Sequence, residues 1–63
     1  MYAEITKQAF NSLLISEQVI KPFKTEQKDS YCKIYYDVLG VTLLQIDNYV
    51  AFCSQYYIKD INA

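Results

Sequence analysis

The spacing of apolar residues along the chain predicts three helices. Between residues 3 and 20, apolar side chains recur at helical intervals while polar side chains occupy the opposite side. The apolar stripe of this first helix consists of Ile5, Ala9, Phe10, Leu13, Leu14 and Ile20. Pro22 restricts the backbone of the residue before it, so this helix is expected to end near Ile20.

Residues 21–30 predict a connecting loop. This segment contains Pro22, the sole proline of the chain, and five of the thirteen charged residues. The chain after it is poorer in charge and richer in tyrosine. We therefore expect a single domain over residues 1–63, in which residues 21–30 connect the first helix to the Tyr-rich C-terminal half.

The segment from residue 30 to residue 39 fits a helix or a strand. As a helix it would place Tyr31, Ile34, Tyr35, Val38 and Leu39 on one face. Gly40 would then provide a left-handed cap at its end. As a strand it would alternate between two sets of side chains, which are Cys32, Ile34, Tyr36 and Val38 on one face and Tyr31, Lys33, Tyr35 and Asp37 on the other.

The segment from residue 42 to residue 60 favours the helical interpretation. One broad apolar face would consist of Leu43, Ile46, Tyr49, Val50, Cys53, Tyr56, Tyr57 and Ile61. Thr42 and Gln45 have the spacing of a capping box. The predicted fold class is therefore all-α, a small three-helix bundle. The many β-branched and aromatic residues leave an α+β alternative open, in which one N-terminal helix lies on a three-stranded antiparallel sheet.

Composition excludes most catalytic chemistry. The 63 residues include no His, one Gly and six basic residues that are all Lys. Without imidazole or a phosphate-binding loop, we expect a protein that is not an enzyme and that binds no cofactor, metal ion or small-molecule substrate. Cys32 and Cys53 match no zinc spacing. The sequence begins with neither a signal peptide nor a membrane span, so a cytoplasmic location is expected, in the host cytoplasm if a phage encodes the chain.

Residues 32–51 resemble the helix-turn-helix of phage repressors. Tyr35 and Leu39 occupy inward positions of the first helix, and Leu39 and Gly40 lie at the turn. The resemblance implies a DNA-binding regulator whose contacts would come from Thr42, Gln45 and Asn48. The net charge of −1 and the absence of a basic stripe argue against nucleic acid as the partner, so this function is kept as the alternative.

More apolar surface is present than a bundle of this length can bury. Surplus side chains of this kind mark interfaces, and tyrosine is favoured there. The predicted interface with a partner or within a homodimer consists of Tyr36, Leu44, Phe52, Tyr56 and Ile58. We therefore predict a small non-enzymatic interaction module that blocks a larger protein, as phage and bacterial inhibitors or anti-repressors do. A small structural or assembly subunit is a further alternative.

Overall fold

The protein is mainly an antiparallel β-sheet, so the predicted all-α three-helix bundle is wrong. The structure is a computed structural model that describes residues 1–59. It contains one helix and five strands, whereas the α+β alternative assigned three strands. In chain order the elements are β1 Tyr2–Ile5, α1 Lys7–Ser16, β2 Lys24–Gln27, β3 Tyr31–Val38, β4 Val41–Asn48 and β5 Cys53–Lys59.

All five strands belong to one sheet with the order β1-β5-β4-β3-β2. Each neighbouring pair is antiparallel, and three consecutive strands, β3 to β5, form its centre. The two outer strands are short. β1 pairs with β5, placing Tyr2 opposite Lys59, while β2 pairs with β3 on the other edge. The segment 21–30, expected to be a loop, thus contributes a strand to the sheet.

The helix occupies the middle of the segment where the sequence predicts one. Thr6 caps its start, because the Thr6 Oγ1 accepts a hydrogen bond from the Ala9 backbone N–H at 3.1 Å. At its end Gln18 adopts a left-handed conformation, and its N–H donates to the Ile15 carbonyl. The Val19 N–H donates to the Leu14 carbonyl at 2.9 Å. These bonds form a Schellman motif, which ends the helix well before Pro22.

The helix packs against one face of the sheet and buries a small core there. Phe10, Val38 and Leu43 form the buried centre of this core. The Phe10 ring is 1% exposed and contacts the rings of Tyr36 and Tyr56, with centroid distances of 5.8 and 4.9 Å. The partly buried side chains around this centre are Ile5, Leu13, Leu14, Val19, Tyr36, Tyr56 and Ile58.

Strand β4 has one buried leucine on each face, which explains why its sequence looks helical. Leu43 lies beneath the helix and Leu44, one residue later, lies on the opposite face, yet both are buried. Two apolar residues in succession break the alternation of apolar and polar residues that identifies a strand with one solvated face. The adjacent pair Leu43-Leu44 therefore imitates the stripe of a helix.

The proposed helix-turn-helix is replaced by a hairpin. Residues 32–51 form most of β3, all of β4 and the connections that follow them. The turn between β3 and β4 consists of Leu39 and Gly40, whose φ angles are 54° and 79°. Two successive positive φ angles are the requirement of a type I′ turn, which joins the strands of tight hairpins.

Within residues 1–59, no helix combines the length and the apolar character that crossing a membrane requires. The single helix, α1, has ten residues, about half of what a bilayer demands.

Candidate interaction surfaces

The face of the sheet opposite α1 has no covering element among the described residues. We call it the open face. Its central part consists of the side chains of β3, β4 and β5 that alternate with those under the helix. They are Tyr31, Lys33, Tyr35, Asp37, Thr42, Leu44, Ile46, Asn48, Cys53, Gln55, Tyr57 and Lys59. The edge strands add Tyr2 and Glu4 from β1 and Lys24 and Glu26 from β2.

Leu44 is the centre of the open face. It lies directly between Tyr35 on β3 and Tyr57 on β5, which are its register partners. Only 5% of Leu44 is exposed although no element of residues 1–59 lies above it. The neighbouring rings shield it, as cross-strand aromatic pairs do. Ile46, next on the same side of β4, is half-buried between Lys33 and Gln55.

Charged side chains surround this apolar centre. The Lys24 Nζ lies 5.2 Å from the centroid of the Tyr35 ring, and the Lys33 Nζ lies 5.5 Å from that of Tyr31. Cation–π contacts of this kind hold the ammonium groups against the aromatic surface. Among residues 1–59, three lysines and three carboxylates share the open face and balance one another; they are Lys24, Lys33, Lys59, Glu4, Glu26 and Asp37.

The second candidate surface is the connection between β4 and β5. Residues 49–52, which we call the tip, are Tyr-Val-Ala-Phe, whereas connections of this type are usually polar. Phe52 is 92% exposed and has a φ angle of 54°. A bulky residue with positive φ is an outlier, and such strain concentrates at functional positions.

The tip is held in place by several hydrogen bonds at its base. The Asn48 Oδ1 accepts from the backbone N–H groups of Val50 and Ala51, at 3.0 and 2.9 Å. The Tyr49 N–H donates to the Ser30 carbonyl at 2.9 Å. The Gln27 side-chain amide donates to the Tyr49 hydroxyl, also at 2.9 Å. The exposed Phe52 ring thus projects from a restrained backbone.

A wide, open cleft of about 900 Å³ adjoins the tip. Phe52 lines it, and the start of α1 contributes Thr6 and Lys7. Its lining also includes Asp47 and Tyr56. The Asp47 Oδ1 accepts hydrogen bonds from the Ser54 Oγ at 2.7 Å and the Gln45 Nε2 at 2.9 Å. Among residues 1–59, no group of three His, Cys, Asp or Glu residues is arranged to hold a metal ion.

The predicted interface residues do not lie on one surface. Tyr36, Tyr56 and Ile58 are half-buried in the core beneath the helix. Leu44 is on the open face and Phe52 is at the tip. Their shared apolar character does not distinguish core positions from surface positions.

The residues suggested by the helix-turn-helix resemblance are also separated. Thr42 and Asn48 lie on the open face, whereas Gln45 lies on the helix side and donates to Asp47. These three side chains would share one face of a helix, but on strand β4 they divide between the two faces of the sheet.

Four residues of the two surfaces escape the sequence-based prediction. Ile46, Tyr35 and Tyr57 line the open face, and Tyr49 anchors the tip. The strand alternation of residues 31–37 does place Tyr35 with Tyr31 and Lys33, and it is the signal that could have found the open face. No comparable signal marks the tip, because Tyr, Val and Phe are not turn-forming residues.

Comparisons with protein-family models, with curated proteins and with solved structures found no match to this chain.

Proposed function

We propose that this protein is a small, non-enzymatic interaction module that binds a larger protein through the tip and thereby blocks a site on it. The observation that carries the proposal is Phe52, an almost completely exposed ring on a restrained turn with a left-handed backbone. A single aromatic anchor that enters a pocket of its partner supplies much of the binding energy in many interfaces.

The geometry of the tip favours binding to a recessed apolar pocket. The hydrogen bonds accepted by Asn48 and Ser30 fix the backbone before binding, and the Gln27–Tyr49 bond fixes the Tyr49 side chain, so little conformational entropy is lost on association. Val50 is exposed beside Phe52 and adds apolar area. The cleft beside Phe52, with Asp47 in its lining, would then face the rim of the partner's pocket.

We further propose that the protein acts in the cytoplasm. Its two cysteines, Cys32 and Cys53, are both free. Small extracellular domains commonly depend on disulfides instead.

The experiment is site-specific photo-crosslinking in the cells that express the protein. A photoreactive phenylalanine analogue is placed at position 52 and, as a matched control, at position 23. Phe23 is also an exposed Phe, but it precedes the edge strand β2 rather than lying at the tip. We expect one larger protein to be crosslinked from position 52 and not from position 23. Identical products from both positions, or none from position 52, would contradict the proposal.

A second variant separates loss of binding from loss of folding. Phe52→Gly removes the ring and also relieves the positive φ angle, which costs an L-residue about 1–2 kcal/mol. We expect this variant to be at least as stable as the natural chain and yet to capture no partner. Full capture by Phe52→Gly would show that the ring is not the anchor.

A further inference from the structure

We infer that a second copy of this chain covers the open face, related to the first by a two-fold axis parallel to β4. This interface is separate from the tip, so the inference does not depend on the proposed function. A sheet with an apolar face is stable when another layer packs on it. Leu44 and Ile46 supply that apolar centre.

On the open face, two charges on one side of β4 are matched by opposite charges at the corresponding positions on the other side. One row across the sheet reads Glu4, Tyr57, Leu44, Tyr35 and Lys24, from β1 to β2. It has a carboxylate at one end, an ammonium at the other and a tyrosine on each side of the central leucine. In the next row toward the β3–β4 turn the order is reversed, with Lys59 on the β5 side and Asp37 on the β3 side.

A two-fold axis along β4 converts this arrangement into complementary contacts. The rotation places β1 of one copy over β2 of the other, and β5 over β3. Ile46 then meets Ile46, and each buried Leu44 lies behind the tyrosine rings that shield it. Each Tyr57 meets a Tyr35. Each Glu4 faces a Lys24, and each Lys59 faces an Asp37, so four of the six charges of the open face meet an opposite charge, while Lys33 faces Gln55.

The twist of packed sheets leaves these pairs within reach. Aligned sheets cross at about 30° and lie about 10 Å apart. Positions along β4 hardly move under this rotation, whereas the edge strands shift by about 5 Å. Glu4 and Lys24 at those edges are exposed and have long side chains that can follow such a shift.

The available area is sufficient for a dimer. Five strands spaced about 4.8 Å apart, with a rise of about 3.3 Å per residue, give the open face an extent on the order of 500 Å². Two copies would together bury on the order of 1,000 Å², which is the lower limit for a specific interface. Nucleic acid is a poorer occupant, because the three lysines are balanced by three carboxylates.

The test is a charge exchange between Glu4 and Lys24, followed by sedimentation equilibrium. Both residues are exposed, so neither substitution disturbs the core. Glu4→Lys or Lys24→Glu alone turns two attractive contacts per dimer into repulsive ones, and each should weaken the dimer about tenfold. The double variant should return to the natural dissociation constant within about threefold. Failure of the double variant to recover would overturn the two-fold arrangement.

Two further measurements complete the test. Ile46→Asp should produce a monomer with an unchanged circular dichroism spectrum, whereas Ile15→Asp, at an exposed position of α1 on the other side of the sheet, should remain dimeric. A natural chain that is monomeric at micromolar to millimolar concentration overturns the inference. The inference is also overturned if the protein is a monomer and the NMR signals of Tyr35 and Tyr57 shift on addition of a single-stranded oligonucleotide. Because Phe52→Gly should still form the dimer, failure here is distinguishable from failure of the proposed function.

Discussion

Cys32 and Cys53 project from opposite faces of the sheet. Cys32 is the register partner of Asp47 on β4, while Cys53 is the partner of Asn48, the next residue. Successive residues of a strand point to opposite sides of the sheet. The side chains of Cys32 and Cys53 therefore lie on different faces, with β4 between the two strands that carry them. This geometry excludes a disulfide within the folded chain.

The two thiols should therefore react at different rates. Cys32 is only 6% exposed, whereas Cys53 is exposed at the start of β5. With a chromogenic disulfide reagent, we expect one thiol to react quickly and the other only as the protein opens. The measurement uses protein dilute enough to dissociate a dimer. Cys32→Ser should remove the slow phase alone, and two equally fast thiols would contradict this structure.

Phe10 is expected to be the most sensitive position of the helix. Phe10→Ala removes the ring that joins α1 to Tyr36 and Tyr56, and should lower the free energy of unfolding by about 3–5 kcal/mol. Urea denaturation measures this loss. The control is Ile15→Ala in the same helix, where the side chain is 76% exposed and the change should be within about 0.5 kcal/mol. Equal effects at the two positions would show that the helix packs through another side.

The turn between β3 and β4 offers a stabilising substitution. Leu39 adopts a positive φ angle with its side chain exposed, a conformation that asparagine tolerates well. Leu39→Asn should raise the free energy of unfolding by about 1 kcal/mol. Leu39→Ala, which retains the unfavourable backbone angle, should give no such gain. Both are compared by thermal denaturation, and a lower midpoint for Leu39→Asn would mean that Leu39 contributes packing that outweighs the strain.

Thr6 should stabilise the helix through its side-chain oxygen. Thr6→Ala removes the acceptor for the Ala9 N–H and should cost about 1 kcal/mol in urea denaturation. Thr6→Ser keeps the oxygen and should restore most of this loss. Ser16→Ala, at the last residue of α1, is the matched control and should be neutral or slightly stabilising, because alanine is the better helix former. If Thr6→Ser is as unstable as Thr6→Ala, the cap does not hold the helix.

Part of the fold could be predicted from the sequence, namely the elements whose pattern is local. The helical stripe around Phe10, Leu13 and Leu14 does form a helix that buries these side chains. Gly40 does adopt a left-handed conformation, although in a hairpin and not at the end of a helix. These features depend on neighbouring residues, which a single sequence displays.

The sheet could not be derived because its signals depend on contacts distant along the chain. β1 has four residues and gains its partner from β5 near the other end of the chain. The residues of the tip give no indication of a turn, so β4 and β5 look continuous. Leu43 and Leu44 are buried on opposite faces, so the alternation of apolar and polar residues that identifies a strand is absent at the centre of β4. Of the candidate site residues, Phe52 and Leu44 lie on the two surfaces for which we propose partners, whereas Tyr36, Tyr56 and Ile58 stabilise the core.

The pairing of β1 with β5 also has a consequence for the order of folding. Short turns join β3, β4 and β5, so these three strands can pair early in folding. Another short connection lets β2 pair with β3. β1 must close a loop of more than fifty residues before Tyr2 reaches Lys59. Strand β1 is therefore expected to join the sheet last, although it comes first in the sequence. Its backbone amides should exchange with solvent before those of the central hairpins.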